Sequence, residues 1–136
     1  MRILIIDDEM VSRKKMVKIM ESFGKITEAD TGSHALAHFM KALDRQAPFD
    51  LITLDIGMPD MDGTEVLYKI RDVENKKIIS DDNRVKIIMV TAQSDKDSII
   101  TCLQAGCNDY VVKPFNADIV RAKLEKLGLI KLPPKP

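Results

Sequence analysis

Apolar residues along this chain follow two spacings in alternation, unbroken runs and recurrences every three or four positions. The first run, residues 2–6, stops at Asp7-Asp8-Glu9. Met16, Ile19, Met20 and Phe23 then recur at helical spacing until Gly24 supplies a C-terminal stop. Residues 25–29 are a shorter stretch of mixed polarity, suited to a sheet edge. Ser33 is placed to cap a second helix whose Leu36, Phe39, Met40 and Leu43 share a face, and Pro48 ends the approach to the next run. Residues 51–54, bounded by Asp50 and Asp55, read as a strand buried on both faces. Pro59 and Gly63 require a loop after it, and Val66, Leu67 and Ile70 mark a third helix. Residues 74–84 read as the frayed end of that helix plus a long solvated connection, because Lys76, Lys77, Asp81, Asp82 and Asn83 surround an isolated Ile78-Ile79. A fourth run, residues 85–90, ends in Thr91-Ala92. Asp95 is expected to cap a fourth helix with Ile99, Ile100 and Leu103 turned inward and Gly106 at its stop. The fifth run, Tyr110-Val111-Val112, leads into Lys113-Pro114-Phe115. Asn116 then caps a last helix with Val120, Leu124 and Leu127 on one face, closed by Gly128.

Five strands alternating with five helices predict an α/β domain, a doubly wound parallel sheet with helices on both faces. The domain is expected over residues 1–128, with residues 129–136 as an extended proline-rich tail. In open sheets of this kind ligands bind beyond the carboxyl ends of the strands. That rule gathers Asp7 and Asp8 from the first strand, Asp55 from the third, Thr91 from the fourth and Lys113 from the fifth.

Composition sets limits on partners. Twenty-one basic residues balance twenty-one acidic ones, which gives no overall electrostatic footprint for nucleic acid or an anionic membrane. Cys102 and Cys107 are too few for a disulfide framework or a zinc site and read as reduced thiols. No stretch approaches the roughly 18 apolar residues of a membrane span, and the first run is too short for a signal peptide. A soluble, cytoplasmic protein without membrane insertion is expected.

Aspartate is rarely buried without a partner, so Asp55 either caps the next segment or faces a cleft where a cation or ligand meets it. Three carboxylates brought together repel, and a hard divalent cation such as Mg2+, held by one or two of them with several waters kept, removes that repulsion. Lys113 and Thr91 add an ammonium and a hydroxyl, the groups that neutralise a phosphoryl group in transfer. A carboxylate beside a metal can also be the nucleophile and form an acyl phosphate. The constellation reads as phosphoryl transfer to an aspartate. Asp60 and Asp62 read as caps or loop residues, and His34 and His38 as surface residues.

With these motifs in order, Asp7-Asp8, Asp55 followed by Met58-Pro59 and Asp62-Gly63, Thr91-Ala92 and Lys113-Pro114-Phe115, the chain resembles the receiver domain of two-component response regulators, of the stand-alone chemotaxis-regulator type. The resemblance runs from about residue 1 to residue 127. It implies strand order 2-1-3-4-5, Asp55 as phosphoacceptor, Asp8 as direct magnesium ligand, Asp7 acting on the metal through water, and Gly57 as a ligand through its backbone carbonyl. It also implies that Lys113 and Thr91 hold the phosphoryl group, that Tyr110 is an aromatic switch, that the Lys113-Pro114 bond is cis, and that the fourth helix, fifth strand and fifth helix form the output face. The implied partners are a sensor histidine kinase or a histidine phosphotransfer protein and a downstream protein target, with the chain a monomer or a phosphorylation-dependent dimer. It is then no enzyme in the usual sense, contributing only to its own phosphorylation and dephosphorylation.

Gly57 and Gln93 stand where the family tunes phosphoryl lifetime, and residues 74–84 are longer than the family's usual connection. Too few residues follow Leu127 for an output domain, which favours a regulator acting by protein binding. A phosphotransfer intermediate or phosphate sink is the alternative. A flavodoxin-like redox carrier fits less well, since Asp7-Asp8-Glu9 replaces the hydroxyl- and glycine-rich loop that cradles a flavin phosphate. An aspartyl phosphatase would need a second acid two residues after Asp55, where Gly57 stands.

Overall fold

The structure is a computed structural model and describes residues 1–92 and 96–133. Strands β1 (Arg2–Ile6), β2 (Lys25–Ala29), β3 (Leu51–Asp55), β4 (Lys86–Thr91) and β5 (Asp109–Val112) form one parallel sheet in the order β2-β1-β3-β4-β5. They alternate with helices α1 (Met10–Met20), α2 (Gly32–Asp44), α3 (Gly63–Lys76), α4 (Lys96–Ala105) and α5 (Ala117–Lys126). Two-residue periodicity divides the sheet's side chains between two cores. Leu4, Ile6, Ile52, Leu54, Ile87 and Met89 meet Phe39 of α2, Val66, Leu67 and Ile70 of α3 and Ile99 and Cys102 of α4. Ile3, Ile5, Leu51, Ile88, Val90 and Val111 meet Met16 and Met20 of α1 and Val120 and Leu124 of α5. Central strand β3 is buried at every residue, as its apolar run predicts.

Three local expectations are corrected by packing. Thr31, not Ser33, caps α2: its Oγ1 accepts from the His34 amide at 3.1 Å, while the Ser33 amide and hydroxyl both donate to Asp60 Oδ2. The helix begins at Gly32, so the capping position just before it belongs to Thr31, while Ser33 already lies within the first turn. On α4, Ile99 and Cys102 face inward, whereas Ile100 and Leu103 are 60% and 47% exposed. The inward stripe is one residue wide per turn, so the adjacent stripe points to solvent. Met40 likewise lies at the edge of its helix's buried face and is exposed. The expected cap Asp95 lies outside the described residues.

The largest departure concerns residues 74–84. Glu74 is buried, not part of a solvated excursion. Its Oε1 accepts from Arg71 Nη1 at 2.7 Å and its Oε2 from the Val85 amide at 2.9 Å. Arg71 also donates to the carbonyls of Gly106 and Val85 and to Asn108 Oδ1, which in turn accepts from the Ile87 amide. One ion pair therefore ties α3, the start of β4 and the turn into β5. Beyond it the chain does reach solvent, through a 3-10 turn at Asp81–Asn83. Ile78 is 89% exposed at a φ of 55°. Its amide donates to the Asn75 carbonyl and the Ile79 amide to that of Glu74, the helix ending in which glycine normally takes the left-handed position.

Two stability outcomes follow. Arg71→Ala leaves the Glu74 carboxylate buried without its cation and is expected to cost about 3 kcal/mol, read as a lower urea midpoint. Ile78→Gly relieves a β-branched residue from a left-handed conformation and is expected to raise stability by about 1 kcal/mol in the same assay.

Candidate functional site

The site lies where four strands end. β1 ends in Ile6, and the chain's next amide, that of Asp7, donates to the Ala29 carbonyl at 3.1 Å, which turns the following carboxylates over the sheet's rim. Asp7 Oδ1 then accepts from the Glu9 amide at 2.9 Å, and Arg13 Nη1 donates to the Asp7 carbonyl, so the turn into α1 is braced twice. Asp55 is the last residue of β3. The Ile56 amide bonds the Val90 carbonyl, and the Gly63 amide returns to the Ile56 carbonyl at 2.8 Å, closing the loop of residues 57–62 upon itself. Only glycine fits there: a Cβ on Gly63 would collide with the Asp55 carbonyl oxygen. Lys113 is anchored by its amide to the Thr91 carbonyl at 2.7 Å, and the peptide bond after it, to Pro114, is cis.

One carboxylate oxygen from each of Asp7, Asp8 and Asp55 lies within 4.8 Å of the others. Asp7 and Asp55 are buried and Asp8 is exposed, so the cluster opens to solvent on one side. Lys113 Nζ sits 3.3 Å from Asp7 Oδ2 and 3.5 Å from Asp55 Oδ2. Asp55 Oδ1 accepts a 3.3 Å bond from the Gly57 amide. Three oxygen donors at this spacing, one of them facing water, suit a hard divalent cation that keeps part of its hydration. Thr91 is buried, and its hydroxyl donates to the neighbouring Ala92 carbonyl at 2.9 Å. Gly57 is exposed, and a Cβ there would meet nothing within 4 Å. The Gln93 position lies outside the described residues.

Burial pushes the Asp55 carboxyl up to about 7, and the Asp7 charge adds to the rise, while Lys113 and the Gly57 amide oppose it. For Lys113, burial works against the charged form, but the Asp55 and Asp7 carboxylates outweigh it and hold the ammonium above its ordinary value. Among the described residues one cation thus stands against two buried acids.

Tyr110 lies one strand away, paired in register with Met89, as Thr91 is with Val112. Its half-buried ring borders the core under α4 and lies 5.3 Å from Lys123 Nζ. Lys123 also donates to buried Asp109 at 2.9 Å. Burial would raise that carboxyl, but Lys123, the Tyr110 amide and Lys126 together hold it below its usual value. Sequence reasoning missed this pair and the Arg13 brace. The only available signal was the three-residue spacing of Lys123 and Lys126, which puts both on one side of α5. Asp60 and Asp62 stand as helix caps, Asp62 on the Thr64 amide and Asp60 on the Gly32 and Ser33 amides.

With its carboxyl raised to about 7, Asp55 is held towards its protonated form in the fold between about pH 4 and 7, where the unfolded chain is ionised. In the absence of divalent cation its ionisation therefore destabilises the protein progressively as pH rises from about 4 through 7. Asp55→Asn is expected to be more stable by about 2 kcal/mol at pH 8, with the gain vanishing near pH 4. Thermal unfolding in chelator across that range checks it, and added magnesium should narrow the difference.

Comparison with known proteins gives one consistent answer. The family model for the response regulator receiver domain matches residues 3–125. The chemotaxis protein CheY of Pseudomonas aeruginosa is 36% identical over 129 residues, 93% of this chain and 95% of that protein. CheY of Bacillus subtilis is 35% identical over 127 residues, covering 92% and 95%. Among solved structures, a CheY-like response regulator receiver domain protein from Methanospirillum hungatei superimposes with a TM-score of 0.75 at 30% identity, over 93% of this chain and 91% of that one. CheY4 of Vibrio cholerae gives 0.74 at 27%, over 92% and 96%. A five-stranded sheet in the order 2-1-3-4-5, an acidic rim facing one lysine, and a family match across almost all of its length place this chain in the response regulator receiver domain family.

Proposed function

We propose that the protein is a phosphorylation-controlled signalling domain in which Asp55 takes a phosphoryl group from a phosphohistidine and the α4-β5-α5 surface reports the change to a protein partner. The observation that carries this reading is the convergence of Asp7, Asp8 and Asp55, with Lys113 against the first and last of them, from three different strand ends. An Asp55 oxygen attacks phosphorus, the phosphorus–nitrogen bond breaks as the phosphorus–oxygen bond forms, and the imidazole leaves with the electron pair. Asp8, Asp55 and the Gly57 carbonyl would hold Mg2+, with Asp7 acting through water. Bound there, magnesium supplies charge neutralisation for the carboxylates and the incoming phosphoryl oxygens. Lys113, already against both buried acids, is drawn to the new phosphoryl oxygens, and the Thr91 hydroxyl exchanges its local bond to Ala92 for one of them.

That exchange favours the state in which Thr91 and Lys113 lie close to the phosphoryl group, by as much as the group binds that state better. Movement of Thr91 frees space for Tyr110 to turn. The surface around it is poised for a partner, because Ile100 and Leu103 of α4 are exposed, as are Val112 and Ile119, which line a cavity with Tyr110, Pro114 and Lys123. Exposed apolar side chains beside a cavity suit protein contact. The donor is a histidine kinase or a histidine phosphotransfer protein, and hydrolysis of the acyl phosphate returns the resting state.

Intact mass after incubation with acetyl phosphate is the direct test. One added phosphoryl group, lost in chelator and lost in Asp55→Asn, is expected. In amide NMR spectra the phosphorylated form should change most at residues 91, 99–105, 109–113 and 117–124. A protein that gains no phosphoryl group from either acetyl phosphate or a phosphorylated kinase domain would overturn the proposal.

A further inference from the structure

At the opposite end of the sheet, and at its far edge, a cavity of about 160 Å³ opens between α2 and the beginnings of β1 and β2. Its lining includes five basic side chains, Arg2, Lys25, His38, Lys41 and Arg45, together with the Thr27 hydroxyl, and no carboxylate. This is where a helix packs on a sheet, a place normally filled with apolar residues. Here Ala42 and Ala47 are too small to fill the gap, and cations surround it.

The charges are set against one another twice. Arg2 and Lys25 are direct partners in the β1-β2 register and lie side by side on the face toward α2. Lys41 and Arg45 are four residues apart on the end of α2, a spacing that brings like charges together on a helix. Both arrangements are unfavourable alone, and the two pairs confront each other across the cavity. Among the described residues, none of the five side chains has an ion-pair partner. Of the neighbouring carboxylates, Asp50 accepts from the Arg2 amide at 2.7 Å, Glu28, on the other face of β2, is held by Arg13 and Lys14, and Asp44, at the end of α2, forms no ion pair with Lys41 or Arg45. The end of α2 does not need the cations either. Its last carbonyls, those of Lys41, Ala42 and Leu43, already accept the amides of Arg45, Ala47 and Gln46. Gln46, at a φ of 57°, turns the chain so that Ala47 walls the cavity.

We propose that this cavity binds a compact multivalent oxyanion of the phosphate class, at a site separate from Asp55. Two arginines offer planar forks for its oxygens, the lysines and His38 supply further charge and donors, and the Thr27 hydroxyl adds one more. The size admits a phosphate or diphosphate group, free or carried on a larger molecule whose remainder stays in solvent.

Amide NMR titration of the full chain, without magnesium, with pyrophosphate, inorganic phosphate and a nucleoside diphosphate tests it. Saturable shifts at residues 25, 27, 38, 41, 42, 45 and 47, half complete below about 1 mM pyrophosphate, are expected. Lys41→Gln/Arg45→Gln should weaken binding about tenfold or more while still accepting phosphate from acetyl phosphate. Lys25→Gln, on the strand side, gives a second check should the double variant misfold. The arms separate the sources: tighter binding of the nucleotide with contacts spreading to Phe49 assigns a nucleotide, and equal binding assigns the free anion. Non-saturating shifts, shifts reproduced by sodium chloride at matched ionic strength, or shifts confined to Lys113 would each overturn the proposal.

Discussion

Two acids buried side by side against one ammonium are the constraint on which this structure turns. Asp7 and Asp55 both lie within salt-bridge reach of Lys113 Nζ, and both are nearly removed from water. Among the described residues only Lys113 is paired with these two acids, so their ionised forms together exceed its charge, and the exposed Asp8 lies beside them. The fold holds this arrangement by backbone means. Short amide bonds fix Asp7 to β2, Ile56 to β4 and Lys113 to Thr91, and Gly63 lets α3 approach the Asp55 carbonyl as closely as a backbone can. A site so held is pre-arranged for positive charge, at a cost in stability while that charge is absent.

The two ends of the sheet manage charge in opposite ways. At the carboxyl ends acids are gathered and left under-compensated. At the amino ends, the Arg71-Glu74 pair is saturated: each carboxylate oxygen has a donor, and Arg71 reaches two carbonyls and Asn108 besides. Saturation marks it as structural, since a fully bonded ion pair has nothing to offer a ligand. The cavity beside Arg2 and Lys25 lies at that same end and lacks such closure, which sets it apart from the Arg71 network.

Between the acidic rim and the α4-β5-α5 surface, the path is short. Lys113 and Thr91 are joined by one backbone bond, and Tyr110 stands on β5, the strand that ends at Val112 immediately before Lys113. Lys123 links its ring to buried Asp109, so the aromatic side chain is bordered by a charge pair on one side and the core beneath α4 on the other. Exposed Ile100 and Leu103 extend the surface onto α4.

The strands, their order of appearance and the acids at their ends were legible in the sequence, because a strand buried on both faces must be apolar throughout and its first charged residue marks where burial stops. The ordered motifs, from Asp7-Asp8 to Lys113-Pro114-Phe115, carried the family as well. Helix faces were legible where the buried stripe is wide, as at Val66, Leu67 and Ile70, and misleading on α4, where the inward stripe is narrow and Ile100 and Leu103 face water. What the sequence alone left open were pairings between residues far apart in the chain: Glu74 with Arg71 and Val85, Asp109 with Lys123, Thr31 rather than Ser33 at the helix start, and four basic residues from β1, β2 and α2 around one cavity with His38. Periodicity reports how a segment divides between core and solvent. Which charge meets which is set by the packing of whole elements, and only the tertiary structure decides it.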